Sequence, residues 1–232
     1  MGRPMKVRPK LAVLDVAGTT LDVGDVIPAA LRAAFEPLGE TLEDSDIAGV
    51  RGRSKREAVE RLVAKLNPPP QHPTSVSART WDRFREELRQ RLPGSVHPIP
   101  GAAEAIAWLR VEVGPVWLTS GFDRETLDDL MRVAGWDPPL IAGTISGDDV
   151  ERGRPAPDMI HAAMRRSGVT DPRDVLVAGD TEADLEAAAA AGVAWTFGVL
   201  TGAHDRAALR SHTEAEIIGS IADLPAWMAG RV

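Results

Sequence analysis

Two short acidic segments in this chain have the spacing needed to hold a phosphate and a hard cation. The first, Asp15-Val16-Ala17-Gly18-Thr19-Thr20, closes an apolar run that begins at Lys10. A carboxylate at a strand end, followed by small residues, lets backbone N–H groups approach an anion while the acid faces it. The second is Gly179-Asp180-Thr181-Glu182-Ala183-Asp184, where Asp180 ends another apolar run and Asp184 falls in the first turn of a helical segment. Mg²⁺ takes oxygen ligands and keeps several waters, so one or two carboxylates with a backbone carbonyl suffice. Each segment also has a plain structural explanation. Asp before Gly starts many surface loops, and Asp180 or Thr181 could simply cap a helix whose positive end favours acids.

Two further segments offer complementary chemistry. Thr119-Ser120-Gly121 follows Val116-Trp117-Leu118, and a hydroxyl with free N–H groups at a strand end suits a phosphate oxygen. Arg154 lies in Gly153-Arg154-Pro155-Ala156-Pro157-Asp158, ahead of a helix, where a cation could balance Asp15 and a phosphate. Taken singly, the first is an ordinary turn and the second a surface arginine in a Pro-rich loop.

The elements that must position these residues follow from periodicity. Five apolar runs bounded by turn residues predict strands over 10–16, 115–119, 140–145, 175–178 and 194–200. Helical patterns over 102–110, 124–133, 158–167 and 181–191 alternate with them, which predicts right-handed βαβ units. Ligands of such sheets bind at the carboxyl ends of the strands. Those ends carry Asp15, Thr119-Ser120-Gly121, Asp148-Asp149 and Gly179-Asp180. Between Asp22 and His97 the pattern changes to helices alone, over 28–38, 55–65 and 80–92, with a stiff connector from Asn67-Pro68-Pro69-Pro70 to Ser77. The fold class expected is α/β, a Rossmann-like, mainly parallel sheet with helices on both faces. Residues 1–22 and 98–232 form it, and a small helical cap domain, 23–97, is inserted after the first strand. A short last helix over 222–228 should pack Trp227.

Composition removes several alternatives. A formal net charge of -7 disfavours binding to nucleic acid or to an anionic membrane, both of which need a basic surface. With no cysteine there is no thiolate zinc site and no cysteine nucleophile. The five histidines include no pair at metal-ligand spacing, and no apolar stretch reaches the ~18 residues of a membrane span. The basic start, Met1 to Lys10, lacks an apolar segment and reads as an arm rather than a secretory signal, so a cytoplasmic protein is expected.

In this order, each at a strand end, the four segments resemble those of haloacid dehalogenase (HAD) superfamily phosphohydrolases, over essentially the whole chain. The resemblance implies that Asp15 is a nucleophile forming an aspartyl-phosphate and that Thr119 orients the phosphate. It places Arg154 where the family has a basic residue, usually Lys. It also implies that Asp180 holds Mg²⁺ with Asp15 and the carbonyl of Ala17, supported by Asp184. Gly18, Ser120 and Gly121 would then complete the phosphate cradle.

Ala17 changes the reaction expected. Most phosphatases of that superfamily carry a second Asp two residues after the nucleophile, and general acid–base help is typically worth about 10²–10⁴-fold. Alanine can supply none. The pattern Asp-x-Ala-Gly-Thr-Thr is similar to that of the phosphonoacetaldehyde hydrolase branch, whose members cut a P–C bond after a cap lysine forms a Schiff base with the substrate aldehyde. The matching segment is Gly52-Arg53-Ser54-Lys55, with Lys55 at the position of that lysine. Lys55 starts a predicted helix amid Arg51, Arg53 and Arg56, which should lower its pKa. It could equally be a solvated lysine that draws anions to the cap. This chain departs from the branch at Val16 (often Trp there), Arg51 (Met there) and Ala58 (His there). Gly121-Phe122-Asp123-Arg124 and Leu200-Thr201-Gly202-Ala203-His204-Asp205 resemble a phosphonatase-like subgroup, with His204 either lining the site or capping a loop. The substrate expected is a small carbonyl phosphonate, and a homodimer through the cap is implied. A phosphomonoester phosphatase of a small metabolite and a non-catalytic phosphate binder are the alternatives.

Overall fold

The computed structural model describes residues 8–136, 139–210 and 215–230. Most of the expected arm, Met1 to Val7, lies outside them. The strands in chain order are β1 (Leu11–Asp15), β2 (Leu21–Asp22), β3 (His97–Pro98) and β4 (Val116–Thr119). They continue with β5 (Gly143–Ile145), β6 (Val175–Gly179), β7 (Trp195–Val199) and β8 (Glu216–Ile218). The helices begin with α1 (Val26–Phe35), α2 (Asp44–Ala48), α3 (Lys55–Ala64), α4 (Pro73–Arg91) and α5 (Ala102–Glu112). They end with α6 (Arg124–Ala134), α7 (Asp158–Ser167), α8 (Glu182–Ala191), α9 (Arg206–Arg210) and α10 (Leu224–Ala229).

Six strands form one parallel sheet in the order β5-β4-β1-β6-β7-β8. From β1 the chain runs outward through β4 to β5, then crosses to the other side of β1 and runs outward again. This reversal opens a crevice at the carboxyl ends of β1 and β6, where α/β sheets hold ligands. In register, Asp15 faces Thr119 on one side, and Leu14 faces Ala178 on the other, one residue short of Gly179-Asp180. Both faces of β1 are covered. Ala12 and Leu14 join one apolar cluster with Leu118 and Leu176, whereas Leu11 and Val13 join another with Ala163, Val175 and Ala187. That double burial is why the strand reads as a continuous apolar run instead of an alternating one.

The structure departs from the sequence reading in several elements, among them the short strands β2 and β3 and the helices α2 and α9, which the sequence patterns do not predict. Strand β8 was not expected, because three edge residues, Glu216 to Ile218, carry no usable periodicity. The strand expected over 140–145 narrows to β5. Helix α4 starts at Pro73, inside the expected connector. Proline fits there because the first helical turn has no N–H partner to lose. As expected, Trp227 packs inward, its ring edge-on to Phe197 with centroids 4.8 Å apart.

Helices α1 to α4 leave and re-enter the sheet through the antiparallel β2–β3 pair, Leu21 opposite Pro98 and Asp22 opposite His97. Helix α1 packs on α4, and α4 on α3. Their apolar faces, including Leu31, Phe35, Val59, Leu62, Trp81 and Phe84, belong to the same cluster as one face of the sheet. The loop before α3 also docks on the sheet directly. The N–H of Lys55 donates to the carbonyl of Gly121 at 2.8 Å. A Cβ at Gly121 would sit 2.5 Å from the carbonyl oxygen of Arg53. Glycine is therefore required for this approach. We expect Gly121→Ala to displace the loop and to cost about 1–3 kcal/mol, the usual range for overpacking, readable by urea unfolding. Among the described residues, no helix is long and apolar enough to cross a membrane.

Candidate active site

Asp15, Asp180 and Asp184 converge, with one carboxylate oxygen from each lying within 4.8 Å of the others. All three are buried. Arg154 reaches into the cluster: its Nη1 donates to Asp15 Oδ1 at 2.6 Å and pairs with Asp184 Oδ1. This guanidinium side chain is only 7% exposed. The second oxygen of Asp184 accepts from the N–H and hydroxyl of Thr181, closing the capping box of α8. Thr181 is thus the helix cap, as one of the two candidates expected, and Asp184 closes its capping box while its other oxygen faces Arg154.

The turn after β1 is tied down by two threonine hydroxyls, one of its own and one from the loop after β7. Thr20 donates its hydroxyl to the carbonyl of Asp15 at 3.0 Å, and Thr201 donates to the carbonyl of Gly18 at 2.7 Å. Gly18 has φ +90, and a Cβ there would lie 2.5 Å from Asp180 Oδ2. Asp180 is held from the far side by the loop after β7, where the N–H of Ala203 donates to Oδ2 at 2.7 Å.

Three carboxylates against one guanidinium leave two negative charges unbalanced before Lys55 is counted. Burial, and then the charge of Asp15, push the Asp180 carboxyl up to about 7. A buried, oxygen-only, net-negative cluster of this kind is the donor set that suits a hard divalent cation. Gly202 tests the point. Its φ lies outside the left-handed region, yet a Cβ would fall 2.0 Å from Asp180 Oδ2. Gly202→Ala should therefore displace Asp180 and weaken Mg²⁺ binding by about 10–100-fold, as changes to supporting residues commonly do. Mg²⁺ titrations followed by thermal melting would measure it.

The cleft above this cluster holds about 300 Å³. Asp15, Ala17, Gly18, Ser120, Gly121, Arg154, Asp180 and Asp184 line it from the sheet side, and Lys55 lines it from the insertion. Lys55 Nζ sits 5.2 Å from the Phe122 ring centroid. Its pKa falls from 10.5 to about 8, chiefly through burial and then through the Arg154 charge, against Asp15 and Asp180, which raise it. The sequence reading had the direction with the wrong cause. The neighbouring arginines are engaged elsewhere: Arg53 pairs with Glu57, Arg56 stacks on Trp81, and Arg51 donates to the carbonyl of Ala203 at 3.0 Å.

Two expected contributors sit elsewhere. Asp148 and Asp149 do not line the cleft. They occupy a 3₁₀ turn, where Asp148 accepts the N–H of Arg124 and Asp149 pairs with its guanidinium. Thr119 is buried beside Asp15, its hydroxyl 3.5 Å from the carbonyl of Leu14. It lines a small cavity beneath the cluster with Arg154 and Asp184, whereas Ser120 lines the main cleft. His204 is a helix cap: its Nδ1 accepts the N–H of Glu182 at 3.1 Å, and burial lowers its pKa. The sequence reading passed over Gly202, Ala203 and Thr201 as binding elements. Small residues just past a strand that borders β6 were the available signal.

A family model described as haloacid dehalogenase-like hydrolase matches residues 9–192. The chain belongs to that family. This hydrolase is 28% identical over 251 aligned positions to the phosphonoacetaldehyde hydrolase of Hahella chejuensis, covering 92% of this chain and 83% of that one. A hydrolase from Pseudomonas syringae superposes with a TM-score of 0.83 at 22% identity, covering 95% and 98% of the two chains. A phosphonoacetaldehyde hydrolase-like protein from Oleispira antarctica gives 0.80 at 22% identity, covering 99% and 95%. Hydrolases of this family generally use Mg²⁺, which agrees with the donor set found here.

Proposed function

We propose that this hydrolase cleaves the P–C bond of a small carbonyl phosphonate, phosphonoacetaldehyde or a relative, with residues 23–97 acting as a cap over the cleft. The observation that carries the reading is Lys55. A lysine with its pKa lowered to about 8 shares a cleft with Asp15, while Ala17 offers no proton to a leaving group. The relationship to the Hahella chejuensis phosphonoacetaldehyde hydrolase supports it.

The free amine of Lys55 would add to the substrate carbonyl and lose water, giving a protonated imine. A carboxylate oxygen of Asp15 would then attack phosphorus. As that bond forms, the P–C bond breaks, and its electron pair passes into the imine to leave an enamine on Lys55. Water would hydrolyse the aspartyl-phosphate to phosphate, and protonation then hydrolysis of the imine would return Lys55 and the carbonyl product. Asp15, Asp180 and the carbonyl of Ala17 would hold Mg²⁺, with Asp184 in support, and the ion would supply neutralisation of phosphoryl charge. Arg154 keeps Asp15 placed and adds a fixed positive charge. The N–H groups of Gly18 and Ser120 are taken by the carbonyls of Leu21 and Ile145, so the Ser120 hydroxyl and the Gly121 N–H would be the donors at the phosphate end. Cap closure would keep water from the imine step.

Borohydride trapping tests the reading. Incubation with phosphonoacetaldehyde, Mg²⁺ and borohydride should add a two-carbon reduced adduct at Lys55, located by peptide mass spectrometry. Phosphate release with no adduct, and unaffected by borohydride, would rule out the imine.

A further inference from the structure

The phosphate end and the carbon end of the cleft differ in chemistry. Polar groups, Asp15, Ser120, Arg154 and Asp180, gather at the sheet edge. The wall contributed by the insertion is mostly aliphatic, including Leu31, Ile47, Val50 and Ala58, with Asp25, Arg51 and Lys55 as its charged members. Ala58 lies one turn after Lys55 on α3, and positions three apart share a helix face. A carbonyl carbon held by Lys55 therefore shares its cleft with Ala58 and the aliphatic wall. Phosphonoacetaldehyde has a hydrogen at that carbon and a single methylene elsewhere, so it would leave this wall facing water. Wetting apolar surface next to a reacting centre is unfavourable, and an aliphatic substituent would remove that contact.

We propose that the insertion forms an aliphatic subsite and that the substrate is a 2-oxoalkyl phosphonate, a ketone whose carbonyl carbon carries a chain of two or more carbons. The choice of a ketone phosphonate rests on the P–C cleavage reading; the subsite itself does not. Imine formation by a ketone balances as for the aldehyde, with loss of one water, and P–C cleavage would release phosphate and the methyl ketone.

Simple alkylphosphonates separate the two ideas, because they have no carbonyl and cannot react. With Mg²⁺ present, their Kd, measured calorimetrically, should fall about fourfold for each methylene from methyl- to butylphosphonate, the gain for burying one CH₂ group. In Val50→Phe, which fills the wall, that dependence should flatten, and the milder Ile47→Val should retain it. Phosphate release from 2-oxopropyl-, 2-oxobutyl- and 2-oxopentylphosphonate is then compared, with matched 2-oxoalkyl phosphate esters in parallel. Rising kcat/KM along the phosphonate series supports the whole proposal. A Kd independent of chain length in the wild-type protein overturns the subsite, even if phosphonoacetaldehyde is cleaved. Chain-length-dependent binding with turnover confined to the esters overturns the phosphonate substrate and leaves the subsite standing.

Discussion

Asp15→Asn should abolish phosphate release, with a loss on the order of 10⁴–10⁶-fold, the scale seen when the nucleophile of a covalent mechanism is removed. The amide cannot form the acyl phosphate, and the two other buried carboxylates of the cluster are already engaged. Asp184 is committed to Arg154 and Thr181, and Asp180 to the N–H of Ala203. The fold should survive. Asparagine keeps an oxygen for Arg154, and its neutrality relieves the charge that helps to raise the Asp180 carboxyl. The expected signature is therefore loss of turnover and of the covalent phosphoenzyme, with a near-normal melting temperature in EDTA. The stabilisation by Mg²⁺ should shrink, because one buried carboxylate has gone. Acid-quenched mass spectrometry of the phosphoenzyme, beside thermal melts with and without Mg²⁺, reads all of these. Residual turnover within tenfold of the native protein would exclude Asp15 as the nucleophile.

Lys55→Arg should be nearly as severe for phosphonates and mild for esters. Arginine preserves the positive charge in the cleft, but its guanidinium stays protonated and forms no imine. Carbon is then left without an electron acceptor, and P–C cleavage should fall on the order of 10⁴-fold or more. Ester hydrolysis needs no imine and should persist. The pH dependence has a defined sign. At its ordinary value of 10.5 the amine would be free in under about 0.1% of molecules at pH 7. With its pKa at about 8, roughly a tenth is free. The rate of borohydride-trapped imine formation should therefore rise from pH 7 to 9 with a midpoint near 8. Moving Arg154 out of reach should raise that midpoint, because its charge disfavours the ammonium. Arg154→Gln, assayed by trapping alone, checks this; an unmoved midpoint would assign the whole shift to burial.

The sheet side of the site was legible in the sequence for a specific physical reason. A central parallel strand is buried on both faces, so it must be apolar until it ends, and the residue at its end is exposed by the topology to the crevice. Asp15 and Asp180 stand at such ends. The chain also declared the insertion, because strand patterns stop between Asp22 and His97 and helical ones replace them. Ala17 and Lys55 could be singled out by type and by resemblance, since both are local features of short motifs.

Tertiary structure decided what depends on contacts between distant segments. Arg154, Asp15 and Asp184 lie 139 residues or 30 residues apart along the chain, and nothing local says that one guanidinium serves two carboxylates. Asp148 and Asp149 have the type and the strand-end position of site residues, yet Arg124 claims them. The basic cluster around Lys55 looked like the source of its lowered pKa, but each arginine has its own partner, and burial with Arg154 supplies the effect. Gly121 and Gly202 are further examples. A missing Cβ reads as a turn in one dimension, and only the approach of Arg53 and Asp180 shows what it is for. Sequence determined which chemistry the strand ends carry; the fold determined which of those groups meet, because charge and burial act through space and not along the chain.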